Sequence, residues 1–138
     1  MDKTIQEAAS IDIFKCKIRA DKKEANVLFY YGKRWPAIHH ARLRIGCSKL
    51  NFDVCFHLHI PNINPDCSCG EGHEDTEHFF MLCTHFNDIR GILKRKIEVH
   101  CTFTLEVLLY GAKNLPLKTN QLLFDAVHEY IVESHRFD

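Results

Sequence analysis

Residues 67 to 83 read CSCGEGHEDTEHFFMLC, and this stretch carries four side chains of the kinds that bind metal ions. They are Cys67, Cys69, His78 and Cys83, here called the Cys3His set. Three thiolates and one imidazole complete the tetrahedral coordination that zinc takes in structural sites. Gly70 and Gly72 allow unusual backbone angles after the first two cysteines, so the sulfur atoms can converge. The pattern predicts one structural Zn²⁺ ion, whose binding free energy contributes to folding.

The other two ligands are expected on a helix that begins near the acidic residues at positions 74–77. His78 and Cys83 are five residues apart, which on an α-helix is about 140° past the same face. We therefore expect Cys83 where the helix ends or distorts. One alternative replaces His78 by His73, although only three residues then separate that ligand from Cys69. Another treats the four as separately buried side chains, but a turn rich in glycine, proline and aspartate is otherwise expected to be exposed.

Four protein ligands leave no coordination position for the water of a catalytic zinc site. Glu74 and Glu77 are the nearby carboxylates that a hydrolytic mechanism would use as a general base. The His-x-Glu and Pro-Cys-x-x-Cys signature of zinc deaminases is absent, and so is the His-Glu-x-x-His signature of metalloproteases. We therefore expect a structural site in a chain that is not an enzyme by itself and has no small-molecule substrate.

The chain of 138 residues predicts a single small all-α domain, mainly helical, that the zinc turn holds together. Its 46% hydrophobic and 26% charged residues are typical of a globular protein. Apolar residues recur at helical spacing, whereas strand-like alternation is scarce. The main runs are Ile11, Phe14 and Ile18; Ile38, Ala41 and Ile45; Phe86, Ile89, Leu93 and Ile97; Leu105, Leu108 and Leu109; and Leu123, Val127, Tyr130 and Ile131. They predict an N-terminal helical segment in residues 1–30 and C-terminal helices in residues 104–138. Thr104 is a candidate helix cap, and Gly46 and Gly111 are candidate helix ends.

The cysteines and the N-terminus indicate the cellular compartment. Seven cysteines occur without the apolar core of a signal peptide near the N-terminus, which favours metal binding over a disulfide framework. No run of about 18 apolar residues is present, so no membrane span or membrane partner is expected. The prediction is an intracellular protein, cytoplasmic or nuclear, and not a secreted one. The cysteines at positions 16, 47, 55 and 101 lie among apolar residues and are interpreted as small core side chains.

Positive charge is concentrated in the first part of the chain. Residues 1–50 contain 11 Lys/Arg against 5 Asp/Glu, while residues 51–138 contain 7 against 13. The segment 29–44, FYYGKRWPAIHHARLR, has no acidic residue and interleaves cations with aromatic rings. Cations that bind phosphate, beside rings that stack on bases, suit RNA or single-stranded DNA. The candidate nucleic-acid-binding residues are Lys33, Arg34, Trp35, Arg42 and Arg44.

An alternative interpretation assigns the same residues to the core and to a solvated face. Tyr30 and Trp35 then pack in the core, and the cations attract the acidic half of the chain. Arg42 falls on the apolar side of its helix and can pair internally with an acidic residue. The chain is in that case a zinc-stabilised protein-interaction module without nucleic-acid contact.

The motifs, taken in order, resemble those of a known family. The quoted residues are HARLRIGCSKLN at 40–51, CSCG at 67–70, EDTEHFF at 74–80, Cys83, and RGIL at 90–93. This order, over about residues 36–95, resembles the zinc-binding tail that follows the reverse transcriptase domain of non-LTR (LINE-like) retrotransposons. The resemblance implies a zinc module that helps to engage RNA or target DNA, with the Cys3His set as ligands. It also implies Arg42 and Arg44 as a nucleic-acid-binding or structural pair, and a reverse transcriptase domain on another chain as a partner. No Asp-Asp polymerase motif and no Asp-rich nuclease core occur in these 138 residues, so neither activity is expected, and an inactive retroelement remnant is a further interpretation.

Overall fold

The longest helix among the described residues lies near the C-terminal end of the chain and forms the centre of the fold. The computed structural model describes residues 26–138, so most of the predicted N-terminal segment, with its apolar positions 11, 14 and 18, lies outside the described residues. Within the described part the chain is mainly helical and contains no strand, which confirms the all-α prediction. None of the helices in this part is both long and apolar enough to span a bilayer.

Five α-helices and three turns of other helical types follow one another in the described chain. The α-helices are α1 (Asn26–Phe29), α2 (Arg34–Ile45), α3 (Asn87–Glu98), α4 (Leu105–Tyr110) and α5 (Leu117–Ser134). The other turns are two π-helical turns, Asp53–His57 and His78–Leu82, and a 3₁₀ turn, Thr84–Phe86. One isolated antiparallel bridge joins Asp66 to His73 across the predicted zinc turn.

Local sequence sets the predicted helix ends. Gly46 ends α2 with a φ of 77°, a left-handed conformation that costs glycine little. Thr104 begins α4, because its hydroxyl oxygen accepts the N–H of Val107 at 3.2 Å. Gly111 follows the last residue of α4. All three predictions are confirmed.

Helix α5 packs against α2, α3 and α4 and supplies the middle of the core. Its buried side chains include the four predicted ones, Leu123, Val127, Tyr130 and Ile131. Phe79 and Phe80 are fully buried, and both rings contact Tyr130 of this helix. Since Phe79 directly follows His78 in the chain, the predicted zinc turn is attached to the centre of the core.

The buried side of α2 differs from the predicted one. Ile38 and Ile45 are only half-buried, whereas the polar side chain of His40 is fully buried. The His40 ring lies between Nε2 of His128, at 3.0 Å, and the carbonyl oxygen of Leu108, at 2.7 Å. Buried polar groups are stable when they are hydrogen-bonded. Partners on α4 and α5, rather than apolar spacing, therefore decide how α2 is oriented.

Three of the four cysteines outside the Cys3His set lie among the described residues. Cys47, Cys55 and Cys101 are half-buried, and Cys16 lies outside the described residues. Cys101 packs against the hydrophobic core, in agreement with its interpretation as a small core side chain. The interpretation is wrong for Cys47 and Cys55, which are half-buried and belong to neither of the described core clusters.

Candidate metal centre

The structure brings all four predicted ligands together. The ligand atoms of the Cys3His set all lie within 4.8 Å of one another. The Sγ atoms of Cys67 and Cys83 are 3.7 Å apart, and Sγ of Cys69 is 3.2 Å from Nε2 of His78. A tetrahedral zinc ion, with bonds of about 2.3 Å to sulfur and about 2.0 Å to nitrogen, separates two sulfurs by about 3.8 Å and sulfur from nitrogen by about 3.5 Å. The set therefore has the geometry to hold a metal ion, and its sulfur-rich donors fit zinc.

A short hydrogen-bonded turn positions the first two ligands. The N–H of Cys67 donates to the carbonyl oxygen of Gly72 at 2.8 Å, and the N–H of Gly70 donates to Cys67 at 3.0 Å. Gly70 and Gly72 have φ values of 82° and 131°, which side chains rarely adopt. The glycines thus let the chain reverse tightly enough to bring the sulfur atoms of Cys67 and Cys69 together.

A π-helical turn positions the other two ligands. The N–H of Cys83 donates to the carbonyl oxygen of His78 at 2.7 Å, a hydrogen bond that spans five residues instead of four. The wider turn compensates for the angle of about 140° by which an α-helix would separate these side chains. Cys83 then leaves the helix with an extended ψ of 125°. This confirms that Cys83 lies where the helix ends and distorts.

Side chains from α3 and α5 bind the carbonyl groups of this π-helical turn. Tyr130 donates its hydroxyl to the carbonyl oxygen of Phe79 at 2.5 Å. Arg90 donates Nε to the carbonyl oxygen of Phe80 at 2.9 Å and Nη2 to that of Cys83 at 2.5 Å. A helix end leaves carbonyl groups without backbone partners. The side chains of Tyr130 and Arg90 donate the missing hydrogen bonds. The geometry around the ligands is therefore held by residues distant in sequence.

Burial shapes the ionisation of the ligand sulfurs. Desolvation raises the pKa of the Cys67 thiol and raises that of Cys83 to about 12. The thiolate is the form that binds a metal ion. A metal cation held by Cys67, Cys69, His78 and Cys83 would supply the positive charge that stabilises thiolates in this buried position.

The candidate general bases and the alternative ligand have other roles. Glu74 is buried and pairs with Arg136, whose Nη2 is 2.6 Å from its Oε1. Burial alone would raise the pKa of Glu74, but hydrogen bonds from Arg136 and from the N–H of Asn51 lower it overall. Glu77 is exposed. His73 lies outside the set with its Nδ1 2.7 Å from Asp66, so its assignment as the fourth ligand is wrong.

Four of the five candidate nucleic-acid-binding residues are exposed. Together with the exposed Lys49 they form what is here called the basic surface, made of Lys33, Arg34, Trp35, Arg42 and Lys49. Arg44, the fifth candidate, is only 5% exposed. Its Nε donates to the carbonyl oxygen of Leu109 at 2.6 Å, and its guanidinium lies 4.0 Å from the ring of Phe29. Arg44 is therefore a structural residue between α1, α2 and α4, and its assignment to a nucleic-acid surface is wrong.

Arg42 and Arg44 differ in exposure because of helix geometry. Side chains two positions apart on an α-helix differ in direction by about 200°, so Arg42 and Arg44 cannot both reach the same surface. Since Arg44 faces α4, Arg42 faces solvent. Among residues 26–138, no carboxylate forms an ion pair with Arg42. The predicted internal pairing of Arg42 is therefore not found in this part of the chain.

Trp35 rests on a stack of aromatic rings that leads to the metal site. The indole is 40% exposed and lies 4.5 Å from the ring of His39. His39 stacks on Phe137 at 5.1 Å, and Phe137 contacts Phe79 at 5.4 Å. Burial and then the charges of Arg42 and Lys49 lower the pKa of His39 to about 4, so its ring is neutral near pH 7. The alternative that places Tyr30 and Trp35 in the core is wrong, because Tyr30 is 64% exposed.

Sequence reasoning missed Lys49, Tyr130 as a hydrogen-bond donor, Arg90 and Arg136. Lys49 is the next cation after the basic segment, so extending that segment past Gly46 would have found it. Arg136 lies 62 residues from Glu74, and no local pattern connects them. Such pairs become visible only once the helices are packed.

Comparison with protein-family models, with curated proteins and with solved structures finds no significant match. The resemblance to the retrotransposon tail therefore rests on the motifs quoted above and on nothing wider.

Proposed function

We propose that this chain is a zinc-stabilised helical module that binds RNA or single-stranded DNA through the basic surface. The observation that carries the proposal is the exposed Trp35 together with four exposed cations on and beside the same helix: Lys33, Arg34, Arg42 and Lys49. Among residues 26–138, none of these cations has a carboxylate within 4.0 Å. Within this part of the chain their charges are therefore available to a ligand.

The positions of Trp35 and Arg42 on α2 suit a flexible single strand of nucleic acid. Trp35 and Arg42 are seven residues apart, so they lie on the same side of the helix, two turns or about 10 Å from each other. An aromatic face stacks on any base, while the cations bind phosphates without reading sequence. We therefore expect binding that tolerates sequence, prefers single strands and weakens as salt rises.

Zinc has a structural role in this proposal. The aromatic stack under Trp35 ends on Phe79, next to the ligand His78. Metal binding holds the π-helical turn, and the turn supports the rings of Phe137 and His39 on which Trp35 rests. Nucleic-acid binding should therefore require the metal-loaded protein. The same class of ligand is the one implied by the resemblance to a retrotransposon tail, with a reverse transcriptase domain on another chain as its companion.

A salt-titrated binding assay tests the proposal. Labelled single-stranded RNA, single-stranded DNA and a duplex are titrated with zinc-loaded protein, and binding is followed by fluorescence anisotropy. Removing a phosphate contact with Arg34→Ala or Arg42→Ala should flatten the dependence of log K on log salt by about 0.7 each. Trp35→Ala should cost about 1–3 kcal/mol without changing that slope, because it removes stacking and no charge.

The matched control is Lys94→Ala, since Lys94 is an exposed cation on α3 outside the basic surface. It should leave affinity and slope nearly unchanged. Absence of binding at low salt contradicts the proposal, and so does equal weakening by Lys94→Ala and Arg42→Ala.

A further inference from the structure

A second surface lies beside the Cys3His turn and has a different chemistry. Four aromatic rings form it, and it is here called the aromatic patch: Phe52, Phe56, His57 and His73. The ring of Phe52 lies 4.9 Å from Phe56, 5.5 Å from His57 and 5.6 Å from His73. Phe56 is 47% exposed, and the two histidine side chains are 47% and 50% exposed. The rings therefore present a joint outer face to solvent.

Hydrogen bonds hold the patch in place. His57 Nδ1 lies 2.8 Å from the carbonyl oxygen of Gly46, at the end of α2. His73 Nδ1 lies 2.7 Å from Asp66, across the isolated bridge of the zinc turn. The backbone N–H of Phe52 donates to the carbonyl oxygen of Glu74 at 3.1 Å. A surface whose side chains are already ordered loses little conformational freedom when it binds a partner.

The loop that follows Phe56 extends the apolar character of this side. Ile60 is 45% exposed and Ile63 is 37% exposed. Three large hydrophobic side chains, Phe56, Ile60 and Ile63, are thus exposed within eight residues of the chain. Single exposed apolar residues are ordinary, but a contiguous group with a polar rim indicates a protein-binding surface.

The charge around the aromatic patch is opposite to that of the basic surface. From residue 51 to residue 89 the chain has seven Asp/Glu and no Lys/Arg. Asp66 contacts the patch directly through His73, and Glu71 is exposed in the adjoining turn. Phosphate groups would meet the carboxylates of Asp66 and Glu71 there, so a nucleic acid is disfavoured at this surface. Lysine or arginine side chains would find complementary charge.

We propose that the aromatic patch binds a segment of another protein in which an apolar or aromatic anchor is flanked by Lys or Arg. The anchor packs on Phe52, Phe56 and the neighbouring isoleucines, and the cations face Asp66 and Glu71. Such an arrangement, with aromatic residues at the centre and charge at the rim, is the usual anatomy of a protein–protein interface. This binding uses other residues than the nucleic-acid binding proposed above, and it selects a partner of opposite charge.

Selection from a library of random displayed peptides tests the chemistry of the partner. The zinc-loaded full chain is the bait, and peptides that also bind the Phe56→Ser/Ile60→Ser variant are removed. We expect the remaining peptides to be enriched in Lys or Arg beside an aromatic or aliphatic residue. The best peptide, made synthetically, should bind about tenfold more weakly to Phe56→Ser than to the unchanged protein.

The control variant is Val99→Ser, which removes a side chain that is 77% exposed at the end of α3. It should leave peptide affinity unchanged, and all variants are checked for equal zinc content and melting temperature. Failure to recover any peptide that depends on Phe56 overturns the proposal, as does recovery of peptides without Lys or Arg enrichment. The second part of the experiment measures the binding of labelled single-stranded RNA to the same variants. If Phe56→Ser abolished RNA binding, this surface would be assigned to nucleic acid instead. Failure of the nucleic-acid proposal appears separately, as unchanged RNA binding in Arg42→Ala.

Discussion

The ion pair between Arg136 and Glu74 joins the C-terminal end of the chain to the zinc turn. Nε of Arg136 donates to Oε2 of Glu74 at 2.8 Å, and Nη2 donates to Oε1 at 2.6 Å. Oε1 also accepts the N–H of Asn51 at 2.9 Å. The side chain of Glu74 is 8% exposed, and that of Arg136 is 26% exposed. We predict that Arg136→Met strongly destabilises the protein, because it leaves a buried carboxylate without its counter-charge.

The magnitude follows from the burial of the two partners. Removing one partner of a fully buried ion pair costs about 3–5 kcal/mol. Because Arg136 is partly exposed, water screens the pair and we expect a loss of about 2–3 kcal/mol. For a domain of this size, such a loss lowers the melting temperature by about 10 °C. The double variant Arg136→Met/Glu74→Gln should cost less than the sum of the single changes, because it removes the uncompensated charge.

An exposed ion pair of the same length provides the control. Nζ of Lys96 is 2.6 Å from Oε2 of Glu129, but these side chains are 46% and 51% exposed. Lys96→Met should therefore cost only about 0–1 kcal/mol. Urea unfolding of zinc-loaded proteins, followed by circular dichroism, measures both free energies of unfolding. Equal losses in Arg136→Met and Lys96→Met would refute the argument that burial, and not distance, decides the strength of the pair.

Three further predictions concern the metal, the pH and a helix end. Cys67→Ser should lower zinc stoichiometry and helical content together, because ligand loss removes folding free energy; a melting curve that chelation leaves unchanged speaks against this. Burial lowers the pKa of His128 to about 4 and that of His40 well below its usual 6.5. Below pH 6.5 the unfolded chain therefore binds more protons than the folded one. The stability that neutral His128 contributes is fully present above pH 6.5 and falls by up to about 1.4 kcal/mol per pH unit towards pH 4. In unfolding free energies measured against pH, His128→Gln should flatten the curve, since glutamine keeps an N–H donor and does not titrate; an unchanged slope would contradict the assignment. Gly46→Ala should destabilise by about 1–2 kcal/mol, because Gly46 has a φ of 77° and a Cβ there would lie 2.9 Å from a histidine ring. Gly91→Ala, in α3 with open space around it, should instead stabilise by about 0.5–1 kcal/mol, and thermal melts that shift in the same direction for both would be the contrary result.

The Cys3His cluster could be predicted because its four residues lie within one short stretch, residues 67–83. Their spacing carries geometric information by itself: two glycines permit the turn, and an interval of five residues requires a distorted helix end. The start of α4 at Thr104 and the end of α2 at Gly46 were predictable for the same reason. A capping hydroxyl or a glycine acts on the backbone a few residues away and needs no tertiary partner.

The inward and outward sides of α2 could not be predicted from apolar spacing. Its buried side carries His39, His40 and Arg44, which apolar patterns assign to solvent. These side chains are stable inside because other helices supply hydrogen-bond partners, such as the carbonyl oxygen of Leu108 for His40. The helical spacing of apolar residues cannot indicate a hydrogen-bond partner that lies 68 residues away in the chain.

The sequence by itself determined the class of fold, the four candidate metal ligands and the presence of a basic, aromatic segment, because each depends on residue type and on intervals of a few residues. Only the tertiary structure decided which arginine of that segment reaches solvent, since Arg42 and Arg44 differ only in which side of α2 the other helices cover. It also decided that the zinc turn is tied to the core through Tyr130 and Arg136. Long-range hydrogen bonds and charge pairs form when packing brings distant groups together, and their strength depends on the burial that the same packing creates.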